Sequence, residues 1–232
     1  MTTLIVIETS TDLASVALLK HGRISVQVAS GTTTHSQSIL PMIQQLLHDA
    51  GIRLTQCDAI AFGAGPGSFT GVRTACGVAQ GLAFGADLPV LAINTLEAMA
   101  QACHDVTGAV GVLPILDARM GEVYWAQYDF SKELALVIPP CLSDPEGVLP
   151  QGKVTACGNG LLAHAAQFAG RAFVDDARPD LMPHAAQIAR LAQRALVSGL
   201  QVAARDAQPV YLRNQVALTT AERAQKKLQA AT

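Results

Sequence analysis

The order in which short apolar runs and helical patterns alternate along the chain is the feature that most restricts its fold. Over residues 1–104, short runs rich in β-branched residues are bounded by turn residues, which is typical of strands. Helical spacing of apolar residues follows the third run and each later one. The predicted strands are 4–7, 14–20, 24–29, 58–62 and 90–93, and the predicted helices are 36–50, 69–84 and 95–104. This order, β-β-β-α-β-α-β-α, predicts an α/β lobe built on a mixed sheet.

The second half of the chain repeats this order in a looser form. Strands are predicted at 112–116, 122–130, 134–138, 154–157 and 171–174, with helices at 161–168 and around 188–196. We therefore predict two lobes, an N-terminal lobe of residues 1–104 and a C-terminal lobe of residues 105–209. Residues from about 210 to 232 are expected to pack back on the first lobe, with a polar helical tail from Ala221 onward.

Charge excludes one functional class. The 232 residues are 50% hydrophobic and 15% charged, with a net charge of -2, as in a folded globular protein. Residues 1–100 carry four basic and six acidic side chains, and residues 101–232 carry twelve of each. Neither half has the basic excess of a protein that holds nucleic acid by itself.

Cysteine usage and the first residues are typical of a reducing compartment. The five cysteines are widely spaced and include no C-x-x-C pair, which argues against a disulfide scaffold and against structural zinc. The start of the chain lacks the basic segment and long apolar run of a secretory signal, and no apolar run reaches the length of a membrane span. We expect a cytoplasmic protein.

The glycine-rich segment 62–85, FGAGPGSFTGVRTACGVAQGLAFG, first suggests a phosphate-binding loop. A Walker loop needs a lysine after its second glycine, and none occurs here. A G-x-G-x-x-G fingerprint also fails, because Gly71 lies one residue too far from Gly67. The start of the following helix still offers N–H groups to an anion. The possible anion or nucleotide contacts are Thr9, Ser10, Gly65, Gly67 and Ser68.

The helix within this segment carries two rows of small residues. Glycines recur at 77, 81 and 85 and alanines at 75, 79 and 83, so each row lies along one side of the helix. Glycine costs roughly 1 kcal/mol relative to alanine inside a helix, so three glycines require a reason. Two interpretations remain open at this point: close packing on the chain's own sheet, and docking of a partner's helix.

Acid–base and metal chemistry have few candidates. Glu8, Asp12 and Asp117 lie near the ends of predicted strands, where α/β proteins often place catalytic groups, although such residues more commonly serve as caps or turns. No two histidines have metal-ligand spacing, and the G-x-S-x-G elbow of a serine hydrolase does not occur.

Several segments together resemble one family, the bacterial TsaB (YeaZ) family of tRNA threonylcarbamoyladenosine biosynthesis proteins. They are LIVIETST, GAGPGSFTGVRTACGVAQGLA, NTLEAMAQ, LPILDARMGEVYWAQY and PVYLR, in the family's order from residue 4 to about residue 213. GPGSFTGVR is the most specific of them. The resemblance implies a two-lobed actin-like ATPase, sugar kinase and Hsp70 (ASKHA) fold with duplicated βββαβα units.

The resemblance also implies a non-catalytic scaffold subunit. TsaB proteins pair with TsaD, the paralogue that transfers a threonylcarbamoyl group to N6 of adenosine 37 in tRNA, and the ATPase TsaE joins the complex. Members also form homodimers through the same surface, so the two associations should compete. The chain would then have no intrinsic cofactor, ATP and metal would belong to the partner proteins, and tRNA would be reached only through the complex.

The alternative is an enzyme of the same fold, either like a metal-dependent glycoprotein endopeptidase or like a kinase. TsaD holds its metal with two histidines four residues apart on a helix, and the matching positions here are Thr95 and Met99. A hydroxyl and a thioether are poor ligands for such an ion. Glu8 also stands where relatives of this fold place an aspartate. Both differences from relatives of this fold argue against metal-assisted chemistry in this chain.

The family's association surface uses the first two helices of the first lobe, which correspond to residues 36–50 and 69–84. This correspondence favours the partner-helix interpretation of the glycine row. The implied interface residues are Ile39, Met42, Ile43, Leu46, Phe69, Arg73, Thr74, Gly77, Val78 and Gly81.

Overall fold

The computed structural model describes residues 2–29 and 34–213, and it confirms the element order predicted for the first half. The strands are β1 (Thr3–Glu8), β2 (Ser15–Lys20), β3 (Arg23–Val28), β4 (Ala59–Gly65) and β5 (Val90–Asn94), and the helices are α1 (His35–Asp49), α2 (Phe69–Ala86) and α3 (Thr95–Thr107). The helical tail predicted from Ala221 onward lies outside the described residues.

The second half forms a smaller sheet followed by helices. Its elements are β6 (Gly111–Arg119), β7 (Glu122–Asp129), β8 (Ala135–Ser143), β9 (Thr155–Cys157), α4 (Gly160–Ala163), α5 (Ala165–Phe168) and α6 (Ala185–Val197). The strands are ordered β8-β7-β6-β9. The helix predicted at 161–168 is two short helices, because His164 has a non-helical backbone and turns its ring towards Asp117.

The strand predicted at 171–174 is wrong, since Ala172–Val174 forms a 3-10 turn. Gly170 has a positive φ of 77°, which reverses the chain direction just before this turn. The ring of Phe173 then meets the ring of Phe168 edge-on, with 5.7 Å between the ring centroids, and both rings are buried. The apolar pattern here reflects a core contact rather than a strand, so the second unit repeats the first only in part.

The first sheet has the order β3-β2-β1-β4-β5. β1 pairs antiparallel with β2 and parallel with β4, and β4 pairs parallel with β5. α1 and α2 cover one face of this sheet, and α6 covers the other. A strand covered on both faces has no solvent side, which explains the continuous apolar run of β1.

Helix α6 follows the second sheet in sequence but packs on the first. Ile188 and Leu191 lie in the core that includes β1, β2 and β4, and the N–H of Ala185 donates to Ser15 Oγ at 3.0 Å. The boundary near residue 104 stays a prediction, and it did not anticipate this return of the chain to the first sheet. Within the described ranges, no helix is both long and apolar enough to cross a membrane.

After α6 the chain runs over the first sheet and reaches the second one. We call residues 202–213 the strap. It begins beside the edge strand β5, and the N–H of Val210 donates to the Ala64 carbonyl at 2.8 Å. Arg213 then pairs with Glu122 on β7, with 2.5 Å between Nη2 and Oε2. The strap therefore links the two halves of the molecule.

Candidate interaction surface and interlobe cleft

The glycines nearest the start of α2 admit the backbone that follows β1. A Cβ atom on Gly71 would overlap the carbonyl oxygen of Thr9, and one on Gly67 would overlap the carbonyl oxygen of Ser10. Only a residue without a side chain allows these backbones to approach so closely. We call Gly63, Gly67 and Gly71 the turn glycines.

The third turn glycine makes room for a buried carboxyl group. A Cβ on Gly63 would overlap Oε2 of Glu8, whose side chain is fully buried. Glu8 Oε1 accepts a hydrogen bond from the N–H of Ser10, whereas Oε2 has no partner among the described residues. Burial raises the pKa of Glu8 to about 7, and the bonds from Ser10 oppose part of that rise. Glu8 thus orients the turn and presents no oxygen to the cleft.

The predicted anion site has lost donors to bonds within the chain. The N–H of Gly65 donates to Thr95 Oγ1 at 3.1 Å, and the N–H of Ser68 donates to the Ser10 carbonyl at 2.7 Å. Each backbone N–H that bonds internally is withdrawn from a ligand. The phosphate-cradle interpretation of the segment is therefore weakened at these two positions.

A cleft of about 320 Å³ lies between the two halves, bounded by the turn after β1, the start of α2, the β6–β7 hairpin and the strap. Ser10, Gly67 and Ser68 line it, whereas Thr9 and Gly65 are buried and do not. The structure therefore brings three of the five predicted anion contacts to one cavity. Anion binding there stays a prediction.

Two of the candidate carboxylates also line the cleft. Asp117 pairs with Arg119 at 3.1 Å and lies 3.4 Å from Nε2 of His164, while Asp12 is exposed on the opposite side. Asp117 is thus occupied by internal partners. In residues 2–29 and 34–213, no group of three or more His, Cys, Asp or Glu side chains is arranged to hold a metal ion.

The positions that correspond to a metal-binding histidine pair are packed inside the core. Thr95 is fully buried, and its hydroxyl oxygen accepts the N–H of Gly65. Met99 is also fully buried, and its methyl group occupies the space that a Cβ on Gly158 would need. Neither side chain faces open space: Thr95 bonds within the first half, and Met99 packs against the second half at Gly158.

Four of the predicted interface residues lie in the core. Ile39, Met42, Ile43 and Leu46 form the buried side of α1 against the first sheet. Their helical spacing marks the stripe by which a surface helix packs on its own domain. In the single chain these four side chains are therefore not part of the exposed candidate surface, and their contact with a partner stays a prediction.

The exposed side of α2 carries the remaining candidates. We call Phe69, Arg73, Gly77, Gly81 and Gly85 the α2 row. All five are exposed and follow one another at intervals of four, so they form a single line along the helix. A Cβ on any of the three glycines would meet nothing within 4 Å. Thr74 and Val78, which are half-buried, flank the row.

The two rows of small residues therefore have different roles. Ala75, Ala79 and Ala83 are buried against the first sheet, as the own-sheet interpretation requires. Gly77, Gly81 and Gly85 lie on the other side of the helix, where an added Cβ would meet no described atom outside the helix within 4 Å. Packing on the chain's own sheet explains the alanines and leaves the glycines without an internal reason.

Sequence reasoning missed one residue of this surface, Tyr211 in the strap. Its hydroxyl accepts a hydrogen bond from Nε of Arg73 at 2.8 Å, across a separation of 138 residues. Its ring centroid lies 6.3 Å from that of Phe69. PVYLR carried the family resemblance but no sign of this contact, because periodicity reports only on neighbours within one element.

Comparisons with known proteins agree with this architecture. The chain matches the family model described as TsaD, tRNA N6-adenosine threonylcarbamoyltransferase, over residues 27–231. It is 38% identical over 221 residues to a protein of Escherichia coli (strain K12) named tRNA threonylcarbamoyladenosine biosynthesis protein TsaB, with 92% of this chain and 96% of that protein covered. A Haemophilus influenzae protein with the same name is 40% identical over 227 residues, with 92% and 94% covered.

Solved structures extend the agreement to three dimensions. A Pseudomonas aeruginosa protein described as similar to the peptidase YEAZ superposes with a TM-score of 0.85 at 41% identity, over 92% of this chain and 100% of that one. A second structure, named YeaZ from the same organism, has a TM-score of 0.84. The fold is the predicted two-lobed ASKHA-type α/β fold. The resemblance found in the sequence is thus confirmed, and the chain belongs to the TsaB (YeaZ) family.

Proposed function

We propose that this chain is a non-catalytic scaffold subunit of the cytoplasmic machinery that makes N6-threonylcarbamoyladenosine at position 37 of tRNA. The names of its E. coli and H. influenzae relatives support the pathway. The proposed partners are TsaD, in a heterodimer, and TsaE, with a competing homodimer on the same surface. ATP and metal are supplied by the partner proteins, and tRNA is met through the complex.

The α2 row is the observation that carries this proposal. Its glycines cost helix stability, roughly 1 kcal/mol each relative to alanine, and no contact of the described chain requires them. Small residues at every fourth position allow another backbone to come close to a helix. A row that destabilises the free chain, and in which a Cβ on each glycine would meet no atom of the described residues, is explained by a partner's helix lying along it.

Two further observations support a non-catalytic role. Thr95 and Met99 fill the space where two imidazoles would be needed, and Asp117 is held by an arginine and a histidine of the same chain. An endopeptidase-like or kinase-like enzyme would need its own metal or nucleotide. Stoichiometric binding of zinc, iron or ATP by the purified chain alone would favour that alternative.

The direct test is Gly81→Leu. Because a Cβ at this position meets nothing, the variant should fold with unchanged or slightly raised stability. The leucine should hold a partner helix away from the row and weaken TsaD binding by about tenfold or more, measured by isothermal titration calorimetry. The modified base should fall in proportion when the reaction is reconstituted from TsaD, TsaE, TsaC (the synthase that makes the threonylcarbamoyl adenylate), tRNA, ATP, bicarbonate and threonine.

Two variants control for bulk. Gly81→Ala adds one methyl group to the row, and Ala166→Leu places the same leucine side chain at an exposed position on α5, away from the row. Ala166→Leu should bind TsaD as wild type does, and Gly81→Ala should weaken binding by less than Gly81→Leu, because it narrows the approach by a single methyl group. Normal heterodimer formation by a folded Gly81→Leu chain would count against the proposal, as would modification that proceeds equally well without this protein.

A further inference from the structure

Arg73 is the only charged residue between Asp58 and Asp87. It lies in the α2 row, one helical turn before Gly77, so a partner that covers the glycines also covers this guanidinium. Taking a charge out of water is costly unless a group of opposite charge meets it. The chemistry of the partner is therefore constrained at this point.

The side chain of Arg73 is held in place by two aromatic rings. Its Cζ lies 3.4 Å from the ring centroid of Phe69 and 5.5 Å from that of Tyr211, and its Nε donates to the Tyr211 hydroxyl at 2.8 Å. Both rings stand about half exposed, at 46% and 47% of their surface. Stacking and the hydrogen bond restrict an otherwise flexible side chain before any partner arrives.

The terminal nitrogens of Arg73 remain available. Within the described residues Arg73 forms no ion pair, and its one hydrogen bond uses Nε. Arg178 and Arg213, in contrast, are already paired with carboxylates of the chain. A planar pair of terminal N–H groups matches the two oxygens of a carboxylate.

We propose that Arg73, positioned by Phe69 and Tyr211, binds an aspartate or glutamate carboxylate of the protein that docks its helix on the α2 row. This rests on the proposed function, since the docking protein is the heterodimer partner. The glycines of the row set how closely the partner helix approaches, and Arg73 sets its register along α2. Phe69 and Tyr211 flank the pair and exclude water from it.

A phosphate of nucleic acid is a weaker match to the same guanidinium. Binding to a phosphate backbone draws its affinity from several cations acting together. Helix α2 offers one, and the surface beside it along the row is glycine. One guanidinium held in a fixed orientation beside a flat helix face is a better match for a single carboxylate on an opposing helix than for a phosphate backbone.

The test compares charge variants of Arg73 in heterodimer formation with TsaD. Arg73→Glu should weaken binding by about 30-fold or more, since two carboxylates would then face each other, and Arg73→Lys by about fivefold, because an ammonium lacks the fork. Lys132→Glu, which makes the same charge change at an exposed turn between β7 and β8, should have little effect. An acidic residue of TsaD changed to arginine should restore binding to Arg73→Glu.

Tyr211 acts through Arg73, which a double-mutant cycle can measure. Tyr211→Phe removes the hydroxyl that accepts from Nε and should weaken binding by about threefold. In the Arg73→Ala background the same change should have almost no further effect. Equal effects in both backgrounds would mean that Tyr211 contacts the partner itself, and would overturn its assigned role.

The outcomes separate this inference from the proposed function. Suppose that Gly81→Leu weakens the heterodimer but folded Arg73→Glu and Arg73→Lys bind as wild type does. The proposed pair between Arg73 and a carboxylate is then wrong, and the proposal that a partner docks on the α2 row stands. If Arg73→Glu abolishes a gel shift of tRNA by the complex but leaves heterodimer formation intact, the guanidinium binds phosphate instead. If the wild-type chain does not bind TsaD, both proposals fail. Melting curves identify any variant that does not fold.

Discussion

Gly71 and Gly77 lie in the same helix, less than two turns apart, yet a methyl group would have opposite consequences at the two positions. At Gly71 it would overlap the backbone of Thr9, whereas at Gly77 it would enter open space. Gly71 is a turn glycine required by the chain's own fold, and Gly77 belongs to the α2 row. One glycine-rich segment therefore contains two kinds of glycine, and only what lies opposite each of them tells the kinds apart.

The strongest test of this contrast is Gly71→Ala. The added Cβ would push on a backbone carbonyl, which cannot turn aside as a flexible side chain would. We expect a loss of about 3 kcal/mol in the free energy of unfolding, measured by urea denaturation, even though alanine is the better helix former. A variant as stable as wild type would mean that position 71 has room for a Cβ atom.

The contact between Gly63 and Glu8 gives a pH-dependent test. The pKa of Glu8 is raised to about 7 in the folded chain, above its ordinary value of 4.5, because burial disfavours the charged form. Its contribution to stability is fully present below pH 4.5 and is lost as pH rises through about 7. Stability falls over this pH range because the folded state still holds a proton that the unfolded chain has released.

Glu8→Gln should remove this dependence. The variant should be as stable as wild type near pH 4.5 and more stable at pH 8, by roughly 1–3 kcal/mol, since glutamine needs no charge in the buried space beside Gly63. Thermal melts across this range measure the difference. Parallel profiles for the two proteins would show that Glu8 is ionised at no cost in the folded state.

The smallest effect is expected at the α2 row. Gly77→Ala should stabilise the free chain by up to about 1 kcal/mol, because the helix gains a better former and no neighbour is disturbed. The melting temperature should rise by about 2–4 °C. A fall in melting temperature would indicate that Gly77 packs within the chain, and would remove the contrast with Gly71.

The first sheet and its helices were predictable because the burial of each element leaves a regular apolar pattern in the sequence. The run that forms β1 is continuous, and α1 shows one apolar stripe, so periodicity identified both correctly. The apolar pattern of residues 171–174 was assigned to a strand, although it marks burial inside the chain. The family resemblance, not periodicity, placed Ile39 and its apolar neighbours on a partner surface, and in the single chain they are buried.

The candidate surface was predictable only in part. The interval of four between Arg73, Gly77 and Gly81 places them in one line, and the family resemblance pointed to this helix. Nothing in the spacing showed which of the two rows faces the chain's own sheet and which faces outward. Tyr211 was beyond prediction, because the strap that delivers it depends on the return of α6 to the first sheet.

By itself, the sequence determined the element order of the first half, the α/β class, the family and the positions of small residues on α2. These properties depend on residues that are close together along the chain, where residue spacing and backbone chirality allow few local conformations. Only the tertiary structure decided that Gly67 and Gly71 meet the backbone after β1, that a Cβ on the row glycines would meet no atom of the described residues, and that Arg73 is held by a tyrosine 138 residues away. Such contacts join distant segments, and their identity depends on how the sheets and helices stack.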